Sequence, residues 1–385
     1  MADATTILAF TIAGGYLGLL LVKTFLAWRY TSFIRGADPI PLAPDSVTLV
    51  TAILSGDPLL ESRLRMTLDA LPEQRFIWLI DDDDDEAQAI AAAAAAANER
   101  LQVVSCPACP EHLNPKTWKL ERATSLIVTH CVMVLDDDTV VTSSAVAALV
   151  NAAGKASVAT GLPLYEPGPD LGSGLLAEFV NNNAIFTYLG TAALRPPFTL
   201  NGMGYVITKA NLKRLGGYTP ILPELTDDLA MAELVLKNNG SIHQDSACLH
   251  VRTTVEDIAH YARLMHRWYI FTILLLRKQS VPLQALIALL HGLPPFLLLT
   301  LCVVVGFSGP FVVAGSLLAV TLAVRTILLA GIQRGVFGRV LHRPVYSVVS
   351  ELLQPLHLLH AACYRTIRWR SRRYRIESGN SFRST

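Results

Sequence analysis

The chain has 385 residues, of which 52% are hydrophobic and only 16% are charged. Typical soluble domains carry about 25% charged residues, so this composition argues against a wholly soluble protein and predicts membrane-spanning segments. The formal net charge of +1 conceals a basic C-terminus that directly follows an apolar segment. We expect this basic tail to face an anionic membrane surface, and we expect no nucleic-acid partner. The arginines that are crowded together there are Arg365, Arg368, Arg370, Arg372, Arg373 and Arg375.

The first candidate membrane span covers residues 6–28 and is interrupted only by Lys23. It is long enough to cross a hydrocarbon core of about 30 Å. Arg29 and Arg35 follow it, whereas no Lys or Arg precedes it. The positive-inside rule therefore predicts that residues 1–30 form an N-terminal transmembrane anchor and that the chain continues in the cytoplasm. We expect an integral protein of a bacterial inner membrane.

Apolar runs alternate with helix-like segments over residues 40–255, which predicts a cytoplasmic α/β domain with a mostly parallel sheet flanked by helices. The runs are nearly continuous in apolar residues, as expected for strands that are buried on both faces. The predicted strands are Val47–Leu54, Phe76–Asp82, Leu101–Cys106, Cys131–Asp136 and Ser157–Leu162.

Residues 256–280 carry an apolar stripe at helical spacing. His260, Arg263, His266 and Arg267 are predicted to lie on the other faces of this helix. The pattern is typical of an amphipathic helix in a membrane interface, and a buried helix of the catalytic domain is the alternative.

Two further transmembrane helices are predicted within residues 281–335, separated by a turn at Gly309 and Pro310. Arg325 inside the second helix is costly unless it faces protein. Residues 336–385 are predicted to contain an interfacial segment and the basic tail.

The strongest chemical signal is an apolar strand that ends in Asp136, Asp137 and Asp138. Alternate residues of a strand point to the same side, so Asp136 and Asp138 can converge while Asp137 points away. Two converging carboxylates suit Mg²⁺ or Mn²⁺, which keep water ligands and also bind diphosphate oxygens. A solvated acidic turn is the alternative.

Three other groups of polar residues flank this motif. The run Asp81–Asp85 contains too many adjacent carboxylates for all to bind a ligand, so most are expected to be solvated or to cap the alanine-rich helix. Asp227 and Asp228 follow Thr226 at a predicted helix start, where they complement the helix dipole or where one of them acts as a general base. Lys116 follows Pro115 and can neutralise a phosphate.

Taken in order, these motifs resemble the ceramide glucosyltransferase-like branch of the inverting family-2-type glycosyltransferases. The resemblance extends from about residue 47 to residue 270. Its motifs are Ser55-Gly-Asp-Pro58, Asn114-Pro-Lys116, Asp136–Asp138, Asn201-Gly-Met-Gly204, Thr226-Asp-Asp228 and Arg267-Trp268.

The resemblance implies a GT-A fold and a UDP-sugar donor. Asp82 or Asp84 would contact uracil or ribose, and Asp136 and Asp138 would hold the metal and diphosphate. Asp228 would be the base, with Asp227 as its acidic neighbour.

The resemblance also implies that Lys116 contacts the donor phosphate and that Arg267 and Trp268 close over the diphosphate. Gly202 and Met203 would lie on the acceptor side. The arginine motif departs from the family pattern, because Leu264 occupies its first position.

The predicted reaction is transfer of a sugar to the hydroxyl of a membrane lipid, ceramide-like or hopanoid-like. Two alternatives stay open at this point. A processive polysaccharide synthase shares the catalytic core, although only two predicted spans follow it here. An inactive membrane scaffold that binds lipid is the other.

Overall fold

The computed structural model describes residues 4–34, 40–309, 311–369, 372–376 and 382–384. Arg35, Pro310 and Arg370, which enter the predictions above, lie outside these residues. Packing divides the chain into two compact units, which we call the helical unit and the sheet unit. The helical unit comprises Met1–Phe33, Pro169–Leu194 and Val255–Arg365, and the sheet unit comprises Ile34–Gly168, Arg195–Thr254 and Thr366–Thr385.

The strands of the sheet unit form where apolar and β-branched residues run together, and every residue of β1 and β4 is buried. Each predicted strand is present, with its ends shifted by no more than three residues. The strands are β1 Val47–Ile53, β2 Arg75–Asp81, β3 Leu101–Cys106, β4 Cys131–Leu135, β5 Thr139–Val140, β6 Val158–Tyr165, β7 Gly204–Thr208, β8 Ile242–Val251, β9 Thr366–Trp369, β10 Arg372–Ile376 and β11 Phe382–Ser384.

The first eight strands form one mixed sheet in the order β3-β2-β1-β4-β7-β6-β8-β5. Strands β3, β2, β1 and β4 are parallel, so their carboxyl ends lie along one edge. Strand β7 runs antiparallel to β4, in a register that pairs Leu135 with Gly204. The end of β4 therefore meets the start of β7, and the loop before β7 lies beside Asp136.

The α/β class is as predicted, but the prediction omits the two-residue strand β5 and the longer strands β7 and β8 of this sheet. Strand β7 is short and follows the turn-forming residues Asn201 and Gly202. Strand β8 contains His243, Gln244 and Asp245, which interrupt its apolar pattern. Both strands are held by long-range pairing, with β4 and β6 in one case and with β6 and β5 in the other.

Several helices begin at a residue whose side chain accepts a hydrogen bond from a first-turn N–H, which satisfies a donor that the helix itself cannot. These residues are Asp84, Asn114, Thr142, Asp170, Thr208 and Asp257. The helices are α1 Ala4–Ile34, α2 Leu60–Ala70, α3 Asp85–Ala97, α4 Pro115–Ala123, α5 Ser143–Ala153, α6 Leu171–Ala184, α7 Lys209–Arg214, α8 Asp227–Lys237, α9 Ile258–Arg277, α10 Val281–Ile287, α11 Leu293–Gly306, α12 Phe311–Phe337 and α13 Pro344–Cys363.

Within the described residues, three helices are long and apolar enough to cross a membrane. They overlap the three predicted spans. Small residues on two of these helices, Ala9 and Ala13 of α1 and Ala314 of α12, are buried in one cluster with Leu301 of α11. Small residues allow such helices to approach closely. The three segments are Ala4–Ile34, Val281–Gly306 and Val312–Phe337.

Helix α9 differs from its prediction in the face it buries. Tyr261 and Met265 of the apolar stripe are buried, but so are Ile270 and His266 outside it. The ring of His266 lies edge-on to that of His360 in α13, with 4.4 Å between ring centroids. Because α9 packs against α6 and α13, its stripe faces other helices. The buried face of α9 is therefore wider than the predicted stripe and includes His266.

The segment after the predicted spans forms α13, which continues through Pro355. The basic tail then forms a three-stranded antiparallel sheet in the order β11-β10-β9. Arg368 and Arg375 are exposed there, whereas Ile367 and Tyr374 are buried. Within the described residues, the arginine-rich tail thus forms strands and does not extend the helix.

Candidate active site

The three carboxylates after β4 have different surroundings. The Asp137 carboxylate accepts a hydrogen bond of 3.0 Å from the N–H of Leu54, at the end of the neighbouring strand β1. The Asp138 carboxylate accepts hydrogen bonds from the Thr253 hydroxyl at 2.6 Å and from the Thr139 hydroxyl at 3.1 Å. Asp137 therefore links the end of β4 to the end of β1. Asp138 contacts Thr139 and Thr253 instead, and Asp136 contacts a lysine.

Asp136 meets a lysine from helix α4. The Lys116 ammonium lies 2.6 Å from Oδ1 of Asp136 and 2.7 Å from Oδ2 of Asp227. Burial disfavours the charge on Lys116, but the two carboxylates outweigh that effect and raise its pKa above the usual value. The ammonium thus remains charged at neutral pH and links the β4 motif to the start of α8.

Asn114 explains how Lys116 is held at this point. Its side-chain oxygen caps α4 by accepting hydrogen bonds from the N–H groups of Lys116 and Thr117. Its side-chain nitrogen donates to the carbonyls of Glu224 and Leu225, at 3.0 and 2.9 Å. One buried side chain therefore fixes the start of α4 against the segment that leads into Asp227.

The loop before β7 lies on another side of the cluster formed by Asp136, Lys116 and Asp227. The N–H of Asp136 donates to the carbonyl of Met203 at 3.1 Å, as the pairing of β4 with β7 requires. The Lys116 ammonium lies 3.4 Å from the carbonyl of Gly202. A Cβ atom at Gly202 would lie 2.9 Å from Oδ2 of Asp228, so any larger residue here would displace that carboxylate.

Asp227 and Asp228 open helix α8, with Thr226 before them. Thr226 is the N-cap residue by position, but its side chain makes no capping hydrogen bond. Asp227 is buried and paired with Lys116, whereas Asp228 is partly exposed. Burial and, next, the charge of Asp227 raise the pKa of Asp228 well above its usual range, despite the opposing effect of Lys116.

The acidic run after β2 divides into residues with different roles. The two carboxylate oxygens of Asp84 accept from the N–H groups of Ser55 and Ala87, at 2.9 and 3.0 Å. Burial opposes the charge of Asp84, but the hydrogen bonds from Ser55 outweigh it and lower the pKa. Asp84 is therefore a capping and loop-holding residue, as expected for part of this run, whereas Asp82 is exposed.

Sequence reasoning missed Lys119. This buried lysine lies 2.8 Å from the carboxylate of Asp81 and donates to the carbonyl of Ile53 at 2.9 Å. It therefore joins the ends of β1 and β2. Its spacing of three residues from Lys116, which places both on one face of α4, was the available signal.

A second missed group holds the loop after β1. The Asp57 carboxylate accepts from the Thr254 hydroxyl at 2.8 Å and lies 3.0 Å from the Arg63 guanidinium. Arg63 is buried and also donates to the carbonyl of Arg252. The motif Ser55–Pro58 indicated that this loop matters, but its partners after β8 were not visible in the sequence.

Arg267 and Trp268 lie in α9 of the helical unit. The Trp268 ring stacks on that of Phe179 in α6, with 6.1 Å between centroids. The other predicted site residues, including Asp136, Lys116 and Asp228, belong to the sheet unit.

The carboxylates after β4 suit a divalent cation. Burial, followed by the negative charges of Asp136 and Asp137, raises the pKa of Asp138 to about 6. This accumulation of negative charge is what a bound cation would relieve. Among the described residues, no group of three or more His, Cys, Asp and Glu side chains could hold a metal ion. A pair of carboxylates nevertheless fits Mg²⁺, which is usually held by one or two carboxylates together with substrate phosphates.

Solved structures share this fold. The mannosyltransferase PcManGT from Pyrobaculum calidifontis, solved in complex with GDP-Man and Mn²⁺, is 14% identical in sequence. The alignment covers 93% of this chain and 98% of that chain, with a TM-score of 0.53. At this identity the likeness shows the fold alone, and it confirms the expected GT-A fold.

A second structure is glucosyl-3-phosphoglycerate synthase from Mycobacterium tuberculosis, solved in complex with Mg²⁺ and uridine diphosphate. It is 15% identical, and the alignment covers 62% of this chain and 81% of that chain. Its TM-score of 0.39 is too low to support a conclusion about this chain.

No curated protein sequence matches the chain. The family comparison, in contrast, covers almost its whole length, because the profile of glycosyl transferase family 21 matches residues 10–382. The match includes the β4 carboxylates, Lys116, the Asp227-Asp228 pair and the apolar helices. The chain therefore belongs to glycosyl transferase family 21.

Proposed function

We propose that this glycosyltransferase moves a sugar from a UDP-sugar to the hydroxyl of a membrane lipid, ceramide-like or hopanoid-like, at the cytoplasmic membrane face. The observation that carries the proposal is the position of Lys116, which contacts Asp136 and Asp227 at once. One cation thereby joins the residues proposed for the donor diphosphate to those proposed for the base. The family and the three apolar helices support sugar transfer in a membrane setting.

In the proposed reaction, the oxygen of the lipid hydroxyl forms a bond to the anomeric carbon. The bond between that carbon and the diphosphate oxygen breaks, and its electron pair leaves with the nucleoside diphosphate. The hydroxyl proton passes to Asp228. Its raised pKa favours this role, because a base works best when its pKa lies near the working pH. Attack from the opposite face inverts the configuration.

Lys116 and Asp227 support this step in different ways. We assign to the Lys116 ammonium the stabilisation of negative charge on the departing diphosphate. Asp227 is buried against that ammonium, so we assign it the orientation of Lys116 rather than proton transfer. The carboxylate of Asp228 makes one hydrogen bond of 2.8 Å with the N–H of Leu229, which orients it.

Asp136 and Asp138 are the residues that would hold Mg²⁺ or Mn²⁺. Such a cation supplies positive charge that stabilises the diphosphate. The presence of Mn²⁺ and a nucleotide sugar in the mannosyltransferase structure is in line with this assignment. Thr253 and Thr139 orient Asp138 by hydrogen bonds to its two oxygens.

The remaining assignments rest on the family resemblance. Asp82 is the better candidate for contact with uracil or ribose, because both oxygens of Asp84 already accept backbone hydrogen bonds. Gly202 and Met203 are proposed to border the acceptor. Arg267 and Trp268 are proposed to act on the donor diphosphate.

The proposed topology has the N-terminus outside and the sheet unit in the cytoplasm, in agreement with Arg29 at the end of the first apolar stretch. Two later spans would return the C-terminus to the cytoplasm. Labelling of single cysteines introduced near residue 36 and residue 380 tests this arrangement. Accessibility of either position from outside the cell would contradict it.

The direct test of the proposed activity uses the purified protein in nanodiscs with radiolabelled UDP-sugars and a panel of lipid alcohols. We expect a labelled lipid product with inverted anomeric configuration, and we expect EDTA to abolish its formation. Lys116→Met should lower the rate, whereas Lys209→Met, at an exposed lysine of the same unit, should not. A labelled polymer would indicate a polysaccharide synthase instead. Absence of transfer to every lipid would contradict the proposal.

A further inference from the structure

A polar cavity lies inside the helical unit, lined by residues of the candidate spans α1, α11 and α12 and of the helices α6 and α13. It is partly open and has a volume of about 30 Å³. Two of its charged residues, Lys23 and Arg325, lie within candidate spans, where charged residues are costly and commonly functional. The polar side chains that line the cavity include Tyr16, Lys23, Asn182, Arg325, Glu351 and Gln354.

Each carboxylate at this cavity already has donors. Glu351 lies 2.7 Å from the Arg325 guanidinium and accepts from the Tyr16 hydroxyl at 3.0 Å. Glu178 accepts from the Asn182 amide at 2.8 Å and from the N–H of Arg343. These contacts satisfy the acids within the unit itself.

Not all hydrogen-bond donors at the cavity, in contrast, have an acceptor within the described residues. The side chain of Lys23 is buried, and the Phe186 ring lies 4.8 Å from its ammonium. The structure gives this ammonium no hydrogen bond and no ion pair within the described residues. Nη1 of Arg325 is also buried without an acceptor in the described part of the chain. Two cationic side chains at one cavity therefore offer N–H groups that the protein does not satisfy.

The size of the cavity limits what could satisfy these groups. A buried water needs about 10–15 Å³, so the cavity accommodates roughly two oxygen atoms. The depth of the cavity in the membrane limits which molecules could supply these oxygen atoms. Lys23 precedes Trp28 by five residues, or about 7–8 Å of helix, and exposed tryptophans of membrane helices lie at headgroup level. Trp28 is 59% exposed.

We propose that this cavity binds the phosphodiester of a membrane phospholipid, with one non-bridging oxygen on Lys23 and the other on Nη1 of Arg325. A phosphodiester carries one negative charge and two such oxygens, which matches the single unpaired lysine and the two unused donors. Charge-assisted hydrogen bonds of this kind are strong where water is scarce. None of the residues assigned to sugar transfer lines this cavity, although Phe179, on which Trp268 stacks, does. The proposal does not depend on that reaction.

The test uses the full-length protein, delipidated in a phosphorus-free detergent. Binding of phosphatidylglycerol is measured by native mass spectrometry and by the rise in melting temperature. The same lipid without its phosphate, a diacylglycerol, is the chemical control, and inorganic phosphate is the control for a free anion. We expect phosphatidylglycerol alone of the three to bind and to raise the melting temperature.

Variants locate the site. Lys23→Met keeps the length of the side chain and removes its charge, so we expect binding to weaken by about tenfold or more. Lys23→Arg should retain binding. Arg29→Met removes an exposed cation from the same helix and should bind as the wild type does. Equal binding by Lys23→Met, or an equal response of the wild type to diacylglycerol or to inorganic phosphate, would overturn the proposal.

Discussion

Both units of this protein bury charged side chains, but they balance the charges differently. In the sheet unit, Lys116 is shared between Asp136 and Asp227, and Asp228 lies close by with a raised pKa. In the helical unit, Arg325 is paired with Glu351, and the Tyr16 hydroxyl makes a hydrogen bond with each of them. An excess of carboxylates leaves one of them able to take a proton, whereas a matched pair is suited to hold helices together.

The largest effect is expected from a variant that tests the excess of carboxylates around Lys116. Asp228→Asn keeps the size of the side chain but cannot accept a proton, so transfer should fall by about 10²–10⁴-fold. Affinity for the UDP-sugar should be preserved. Turnover and donor affinity are measured in the same preparation, by product formation and by calorimetry.

Asp227→Asn is the matched control for that prediction, since it changes the adjacent carboxylate, which orients Lys116. It should reduce turnover less than Asp228→Asn. Near wild-type turnover of Asp228→Asn together with an inactive Asp227→Asn would identify Asp227, and not Asp228, as the base. Full activity of both variants would place the base elsewhere.

The next effect tests the matched pair. Glu351→Gln leaves the buried Arg325 guanidinium without its acid, which typically costs about 3–5 kcal/mol. We expect a large fall in the thermal midpoint of the protein in detergent. The double variant with Arg325→Met should recover part of the loss, because it removes the uncompensated charge. A double variant less stable than Glu351→Gln would show that the pair does not act as a unit.

Gly202→Ala should reduce turnover without unfolding the protein. Its Cβ would lie 2.9 Å from Oδ2 of Asp228, so that carboxylate must move. Displacement of a catalytic group by about 1 Å can cost about 10²-fold in rate. Gly56→Ala, at a glycine with open space but a positive φ of 100°, serves as a comparison for backbone strain alone. Equal losses in the two variants would argue against the effect on Asp228.

The dependence of turnover on pH should also reflect the protonation of Asp228. The pKa of this carboxyl is raised, so the base becomes protonated at a higher pH than an ordinary aspartate with a pKa of about 3.9. Turnover should therefore decline on acidification by about tenfold per pH unit below that raised pKa. The part of the decline above about pH 6, where Asp138 is still largely ionised, should vanish from the residual activity of Asp228→Asn, which lacks the titrating group.

The smallest effect is expected at the surface of the sheet unit. Asp45 is paired with Arg75 at 2.9 Å and with Arg100 at 2.7 Å, and all three side chains are well exposed. Asp45→Asn should change stability by less than about 1 kcal/mol and leave turnover unchanged. Thermal melts of this variant provide the baseline for Glu351→Gln.

Local sequence pattern was sufficient to predict much of the secondary structure of the sheet unit. Continuous apolar runs located β1, β2, β3, β4 and β6. The acidic run Asp81–Asp85 before an alanine-rich stretch predicted a cap for α3, which the structure places at Asp84. Strand β8 was missed because its polar residues hide its periodicity. The burial of His266 was also missed, because helical spacing does not say how wide the buried face is.

The sequence by itself determined which residues could do the chemistry: carboxylates at the end of a buried strand, a lysine at one helix start and an acidic pair at another. Only the tertiary structure decided their partners. The pairing of Lys116 with Asp227 depends on Asn114 binding the carbonyls before α8, and the crowding of Gly202 on Asp228 depends on β7 pairing with β4. Such contacts join residues that are distant in the chain. They form only when the whole sheet closes, so no local pattern encodes them.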